Sequence, residues 1–421
     1  MRQAFAALDN SLVDWVVLRD APGPPGAEGD VDVLVGPRRG RLDRALAEPG
    51  FLRIPPRGRG SHRFVFRVRE SEFCAYDPTA DSWEDLDVLT EVAFGPDLQF
   101  RTDLATPLLE RRRRVGGINR LSPNDEFWYL LLHELLKRGD VVEHRRQRID
   151  SLSGASDLTS PVAAEIEVVS PGSATRLREA ALDREWERVR SIGEEIRRGW
   201  CRSRPVGVRV VTAFSRFTQL LPARTAVGMS VAILGPDGAG KTTLAASLRR
   251  TIPMPSSYVY LGVWRDSRFE STLRHVIGAR LALRLATLLG KSAWIQLQRR
   301  LGKLVVLDRY TSDAVLPADA SDWKASISST LVQKTCGEPD LVVVLDAPAE
   351  VMFARKGEQG ITRLQASRAM NLAMLDTFRD VVVVDASQQA EDVRREVTIH
   401  ICDRWAGKAL TAAQPATQAR T

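Results

Sequence analysis

Apolar residues fall along this chain in three rhythms. From Val13 to about Phe94 they come as short runs between turn residues: Trp15 to Leu18, Val31 to Val35, Phe64 to Val68, Phe73 to Tyr76 and Leu86 to Leu89. Runs of that length, bounded by Gly, Pro and Asp, predict strands. The Pro- and Gly-rich cluster Ala21 to Gly29 predicts a loop, and Arg41 to Ala47 predicts a helix that Pro49-Gly50 ends. A small mixed α/β domain is the expectation for this region.

The second rhythm is helical. Ser122-Pro123-Asn124-Asp125 reads as an N-cap, a proline at the first helical position and an acid three residues on, ahead of a strongly helical Phe127 to Lys137. His133 lies in this apolar helix and reads as a buried, satisfied histidine. Asp140 to Pro161 is polar and poorly periodic. Ala174 to Arg198 predicts one charged amphipathic helix with many i,i+4 pairs, and Arg202 to Arg224 connects it onward.

From Met229 strand and helix alternate. Met229 to Leu234, Tyr258 to Val263, Leu304 to Leu307, Leu341 to Leu345 and Val381 to Val384 are apolar on both faces, as buried parallel strands are. Lys241 to Thr251 predicts a helix, with Leu244 and Leu248 on one face. The fold expectation is therefore α/β, with segments 1–117, 118–225 and 226–408 and a disordered tail at 409–421.

Composition adds bounds. With 421 residues and 44% hydrophobic content, the chain can bury more than one core. No apolar run approaches the roughly 20 residues of a membrane span, and the N-terminal segment lacks the basic-then-apolar layout of a signal peptide. A cytoplasmic protein is expected. Cys74, Cys201, Cys336 and Cys402 show no C-x-x-C spacing, which points to reduced thiols rather than zinc or disulfides. The net charge of +7 invites a nucleic-acid reading, but only eight of the 60 basic residues are lysine. An arginine-, alanine- and glycine-rich composition fits a GC-rich coding sequence equally well, and the run Arg111 to Arg114 reads as a solvated loop.

The chemistry concentrates at Gly235-Pro236-Asp237-Gly238-Ala239-Gly240-Lys241-Thr242-Thr243, which fits G-x-x-x-x-G-K-[ST] and follows an apolar strand. In such a loop successive N–H groups curl around a phosphate and the helix start aims its dipole at it. Lys241 then reaches the β/γ oxygens and the Thr242 hydroxyl holds Mg²⁺. Asp308 and Arg309 end the run Leu304 to Leu307. In a parallel sheet that position lies beside the phosphate loop, where Asp308 can hold Mg²⁺ and Arg309 can reach a phosphate. Asp346 ends the next apolar run and is as suited to capping the following helix as to chemistry.

These pieces together resemble the thymidylate kinase-like family of P-loop phosphotransferases, over Met229 to about Trp405. They are the G-x-D-G-x-G-K-T-T loop, Asp308-Arg309-Tyr310, Leu345-Asp346-Ala347-Pro348-Ala349-Glu350 and Val383-Val384-Asp385-Ala386-Ser387. The resemblance implies ATP and Mg²⁺ as cofactors and places Asp237 near the acceptor. It assigns Asp308-Arg309 to magnesium and acceptor phosphate, and Asp385-Ala386-Ser387 to the vicinity of adenine. It also implies a lid carrying Arg355, Lys356, Arg363 and Arg368. True thymidylate kinases carry an Arg-Glu-Pro-Gly type segment after the second strand, where the acceptor is read, whereas this chain has Tyr260-Leu261-Gly262-Val263-Trp264-Arg265. Thymidylate, another nucleotide, and a phosphorylated or hydroxyl-bearing metabolite all remain open as acceptor, and a homodimer stays open too.

In the first domain, Asp30 and Asp32 stand two apart on one strand and so share a face, with Asp87 on a later strand. This spacing resembles the nucleotidyltransferase fold over about Leu12 to Phe94, in which such carboxylates bind Mg²⁺. That family opens with a Gly-Gly or Gly-Ser turn, where this chain has Val17-Leu18-Arg19-Asp20. The pairing of the two modules resembles proteins of bacterial surface-polysaccharide synthesis, which is an analogy of architecture. The expectation is an ATP- and Mg²⁺-dependent phosphotransferase, with nucleotidyl transfer at Asp30, Asp32 and Asp87 or a non-transferring ATP-binding switch as alternatives.

Overall fold

The computed structural model describes residues 1–19, 31–36, 42–54, 70–96, 98–203, 227–261, 279–308 and 337–412. The expected strand Phe64 to Val68, most of the connector Arg202 to Arg224, and the Ala21 to Gly29 loop lie outside these residues, as do Asp30, Trp264, Arg265, Arg309, Tyr310 and Cys336. The chain divides into two compact units, Met1–Ala75 with Glu84–Pro222, and Tyr76–Trp83 with Ala223–Thr421.

The N-terminal unit is built on a mixed sheet. Its elements are α1 (Arg2–Asn10), β1 (Trp15–Arg19), β2 (Val31–Val35), α2 (Leu42–Ala47), β3 (Leu52–Arg53), β4 (Glu70–Asp77) and β5 (Ser82–Leu89). The ribbon β6 (Ala93–Phe94) and β7 (Phe100–Arg101) follows, then α3 (Ala105–Glu110), β8 (Arg113–Val115) and β9 (Ile118–Arg120). The sheet order is β3-β4-β5-β2-β1-β9-β8. Alternation along β1 and β2 sends Val17, Val31 and Val33 into one apolar cluster with Phe5 and Leu46. It sends Val16, Leu18 and Leu34 into another, shared with the helices that follow.

Those helices are α4 (Pro123–Lys137), α5 (Glu143–Leu152), α6 (Pro161–Val169), α7 (Ser173–Leu182) and α8 (Trp186–Ser203). The start of α4 is as its sequence implies: the Ser122 side chain accepts from the Asp125 amide and Pro123 opens the helix. Two expectations are corrected here. The polar stretch after Asp140 contains α5, whose Arg145, Ile149 and Leu152 are buried although its apolar periodicity is weak. The single helix expected over Ala174 to Arg198 is two, because Arg184 takes a left-handed backbone (φ +59°) and turns the chain between α7 and α8. The run Arg111 to Arg114 is also no loop. It enters β8, and its side chains pair with acids: Arg111 with Asp125, Arg112 with Asp14 and Arg114 with Asp9.

The C-terminal unit is a five-stranded sheet in which every pairing is parallel. Its elements are β10 (Met229–Leu234), α9 (Lys241–Thr251), β11 (Ser256–Tyr260), α10 (Ala279–Arg300), β12 (Leu304–Asp308) and β13 (Leu341–Asp346). They continue with α11 (Ala349–Lys356), α12 (Ile361–Ala373), β14 (Val381–Asp385) and α13 (Ala390–Ala412). The order β11-β12-β10-β13-β14 puts β10 in the centre. β10, β12 and β13 are buried throughout, save Asp346, as their unbroken apolar runs require. The edge strands depart from that expectation. β14 exposes Val383, and only Val259 of β11 is buried, because an edge strand has a neighbour on one side alone. α13 continues to Ala412, past the expected start of the tail. Among the described residues no helix is long and apolar enough to cross a membrane.

Removing the cap tests the local reading of α4. Ser122→Ala should lower the stability of the N-terminal unit by about 1 kcal/mol, read as an earlier denaturant midpoint for that unit's transition.

Candidate functional site

A parallel sheet gathers the carboxyl ends of its strands along one edge, and ligands of open α/β sheets lie outside that edge. Here β10 runs directly into the glycine loop, which α9 leaves. Gly235 (φ +146°) and Gly238 (φ +87°) both adopt backbone that favours glycine. Each is also crowded: a Cβ on Gly235 would meet the Leu345 carbonyl oxygen at 2.7 Å, and one on Gly238 would meet that of Met352 at 2.6 Å. The loop is thus pressed between the end of β13 and α11, and its glycines are set by packing as well as by turning. Gly240 opens α9 without a side-chain cap, and Thr242 and Thr243 in its first turn are exposed. A first helical turn of that kind presents N–H donors to an anion.

The loop's charges are engaged with each other. Lys241 Nζ donates to the carbonyl oxygens of Gly235 and Pro236, 2.8 Å each, and lies 3.8 Å from Asp237 Oδ1. Asp237 Oδ2 accepts from Gln359 Nε2 at 2.8 Å, which ties the loop to the turn between α11 and α12.

Asp308 closes β12, in register with Ile233 of β10 on one side and Tyr260 of β11 on the other. Its carboxylate is almost wholly buried. Oδ2 accepts from the Tyr258 hydroxyl at 2.5 Å, while Oδ1 is buried without a hydrogen-bond partner. A buried carboxylate oxygen with no donor is costly unless a cation or water meets it. Together with the Thr242 hydroxyl it offers the hard oxygen donors that Mg²⁺ takes, and Mg²⁺ is commonly held by one or two carboxylates plus substrate phosphates. The residues fit the ion. Tyr258 was not singled out by the sequence. Its signal is diagonal placement, since Tyr258 opposes Val306 and so stands two residues from Asp308 on the neighbouring strand's same face; that becomes readable only once β11 is known to flank β12.

The expected lid cations are distributed differently from a common cluster. Arg355 Nη1 donates to the Ala386 carbonyl at 2.7 Å, Lys356 pairs with Glu358 at 2.9 Å, and Arg363 is exposed. Arg368 grips Asp346 through two bonds, 2.6 and 2.7 Å. Asp346 therefore anchors α12 rather than capping α11, whose N-cap Pro348 has no side-chain bond.

In the N-terminal unit, Asp32 and Asp87 stand opposite each other in parallel register on β2 and β5, both buried. Asp32 Oδ2 accepts from Arg19 Nε at 2.7 Å. Burial alone disfavours the Arg19 cation, but Asp32 lifts its pKa above the ordinary guanidinium value. On α4, burial holds the His133 imidazole below its usual pKa although its Nδ1 meets Glu134 Oε1 at 3.3 Å. Burial pushes the Glu134 carboxyl up, yet His133 and the charges of Arg138 and Arg145 bring it below the usual range. Among the described residues no group of three or more His, Cys, Asp or Glu is arranged to hold a metal. The donor facing Asp32 here is the Arg19 guanidinium, and Asp30, the third acid of the expected set, lies outside the described residues.

A glycine loop joining the central parallel strand to a helix, with a buried acid ending the adjacent strand, defines a P-loop nucleotide-binding domain. The family model described as Thymidylate kinase matches residues 233–397. A probable thymidylate kinase from Archaeoglobus fulgidus is 28% identical over 181 residues, 40% of this chain and 92% of the relative. A thymidylate kinase from Xanthomonas euvesicatoria pv. vesicatoria is 30% identical over 211 residues, 44% of this chain and 89% of the relative. Through its C-terminal half the chain belongs to the thymidylate kinase family and is a P-loop kinase. Two structures of the deoxyadenosine kinase from M. mycoides, one with dCMP and dCDP and one with dATP, align over 41% of this chain. Each has a TM-score of 0.30, at 13% and 17% identity, and the alignments cover 98% and 99% of those chains.

Two outcomes test this geometry. Tyr258→Phe leaves Asp308 without its orienting donor, and the Mg²⁺ concentration for half-maximal phosphotransfer should rise about tenfold, as a Mg²⁺ titration of initial rates would show. In the N-terminal unit the unfolded chain protonates a histidine near pH 6.5 while folded His133 resists. Stability should therefore fall as pH drops below that value, by up to about 1.4 kcal/mol per pH unit. Glu134, whose pKa is depressed, adds its own loss at lower pH as its folded pKa is approached. Thermal melts of His133→Asn should show a flatter dependence near pH 6 than wild type.

Proposed function

We propose that the C-terminal unit transfers the γ-phosphoryl group of ATP, with Mg²⁺, to a nucleotide or to a small phosphorylated or hydroxyl-bearing metabolite. The observation that carries this is Asp308. It is a buried carboxylate with one oxygen held by Tyr258 and the other without a donor, on the strand that flanks the one entering the phosphate loop. Bound Mg²⁺ would offset charge on the phosphate oxygens and help to align them. Lys241 would exchange its two carbonyl partners for β/γ-phosphate oxygens, where the acceptor as well as the donor carries charge. The N–H groups opening α9 cradle the same phosphates.

Asp237 stands at the acceptor side in this reading, and its bond to Gln359 makes the turn after α11 the element that reports on it. Arg355, held at the Ala386 carbonyl, is assigned to the base side in this reading, and the exposed Arg363 to the lid. The relatives named as thymidylate kinases make thymidylate the first acceptor to test. Because Tyr260-Leu261 is not followed by an Arg-Glu-Pro-Gly segment, the panel extends beyond it.

The test follows label from γ-labelled ATP with Mg²⁺ into nucleoside monophosphates, sugars and sugar phosphates. Wild type should label one acceptor class, and Lys241→Ala should cut the rate by roughly 10²–10³-fold, the usual cost of one electrostatic contact at a transferring group. ATP binding that Lys241→Ala abolishes, with no acceptor labelled across the panel, would sink the transferase reading in favour of a switch.

A further inference from the structure

The N-terminal unit sets a cation of its own against the carboxylates that the strand pattern offers to metal. β1 and β2 run antiparallel with Val17 opposite Val33 and Arg19 opposite Asp32, so Leu18 and Arg19 together face a single residue of β2. A bulge of this kind redirects the side chain that follows it. Strict alternation would place Arg19 on the face of Val17, among Val31, Val33 and Leu86. The bulge brings its guanidinium instead to the face of Leu34, where Asp32 lies, and Nε meets Asp32 Oδ2 at 2.7 Å with both side chains about nine-tenths buried.

The surroundings keep it there. Asp87 stands opposite Asp32 on the next strand. Arg19 is within electrostatic reach of Tyr129 and Glu134 of α4, and Arg145 of α5 within reach of Arg19, Asp32 and Glu134. Two carboxylates side by side in a buried register repel unless a cation neutralises them. A divalent ion at Asp32 would have to displace a guanidinium that is already desolvated.

We propose that Arg19 is a resident counter-ion for Asp32, the carboxylate in register with Asp87, standing in place of a divalent cation. Asp32 and Asp87 then keep their places on adjacent parallel strands without needing a metal between them. The proposal is independent of the acceptor assigned to the kinase, because it concerns a different unit and is read without turnover.

The experiment is Mn²⁺ binding to the full chain without nucleotide, followed by loss of the free-ion electron paramagnetic resonance signal, in wild type, Asp32→Asn, Arg19→Met and Arg19→Met/Asp32→Asn. Wild type and Asp32→Asn should bind Mn²⁺ alike, whatever the C-terminal unit contributes. Arg19→Met should gain one site that the added Asp32→Asn removes. A wild-type site lost in Asp32→Asn overturns the proposal, as does a folded Arg19→Met that gains none. If Arg19→Met does not fold, the wild-type and Asp32→Asn comparison decides alone, with Asp87→Asn in its place should Asp32→Asn not fold.

Discussion

The pairing of β10 with β12 on one side and β13 on the other governs the kinase site. Ile233 opposes Asp308, and Leu234 opposes Val344 just before Leu345 and Asp346, so the two flanking strands end in acids at nearly the level where β10 turns into its loop. Parallel pairing makes this inevitable once each strand is apolar to its last residue, because the first polar side chain then falls at the carboxyl edge. The loop's own shape follows from the same pairing. The Leu345 carbonyl that crowds Gly235 belongs to β13, and the Met352 carbonyl that crowds Gly238 belongs to the helix β13 feeds. A slip of β13 against β10 would move the acid and the loop's wall together.

With the frame fixed, the charges at this edge are satisfied internally by partners of unequal strength. Lys241 donates to the carbonyls of Gly235 and Pro236 with Asp237 3.8 Å away, and Asp237 accepts from the Gln359 amide. Arg368 and Asp346 form a two-point ionic pair, which is stronger and more directional. The Gln359 amide thus ties the turn between α11 and α12 to the glycine loop, while Arg368 ties α12 to the end of β13.

What the sequence made legible was what lies close along the chain. The phosphate loop, the apolar strand before it and α9 were readable because nine residues carry the motif and the periodicities beside it are unbroken. The Ser122 cap was readable for the same reason. The features that escaped depend on distant pairing. Tyr258 and Asp308 are fifty residues apart, and the bond appears only when strand order places β11 beside β12. The exposure of β14 is invisible in four consecutive valines, since composition cannot say which strand is at the edge. α5 was hidden because only Arg145, Ile149 and Leu152 of its ten residues face inward and one of them is charged. The break at Arg184 was hidden because neither glycine nor proline marks it. The nucleotidyltransferase-like spacing was legible as two acids in an alternating strand, but not the bulge that turns Arg19 toward one of them.

The same long-range pairing changes what the arginine-rich composition means. A net charge of +7 spread over bare guanidinium groups would make a polyanion-binding surface. In the N-terminal unit many of these groups instead meet acids on other elements: Arg148 takes Glu126 through two bonds, Arg176 takes Glu195, and Arg111 takes the buried Asp125, which also accepts from the capping Ser122 hydroxyl. Arginine suits this because its rigid fork engages both oxygens of a carboxylate at once, where lysine offers a point charge on a flexible stem. Each exposed pair adds little to stability, but each withdraws a cation from the solvent-facing field. Arg19 on Asp32 is the same kind of pair carried inward, with both side chains about nine-tenths buried.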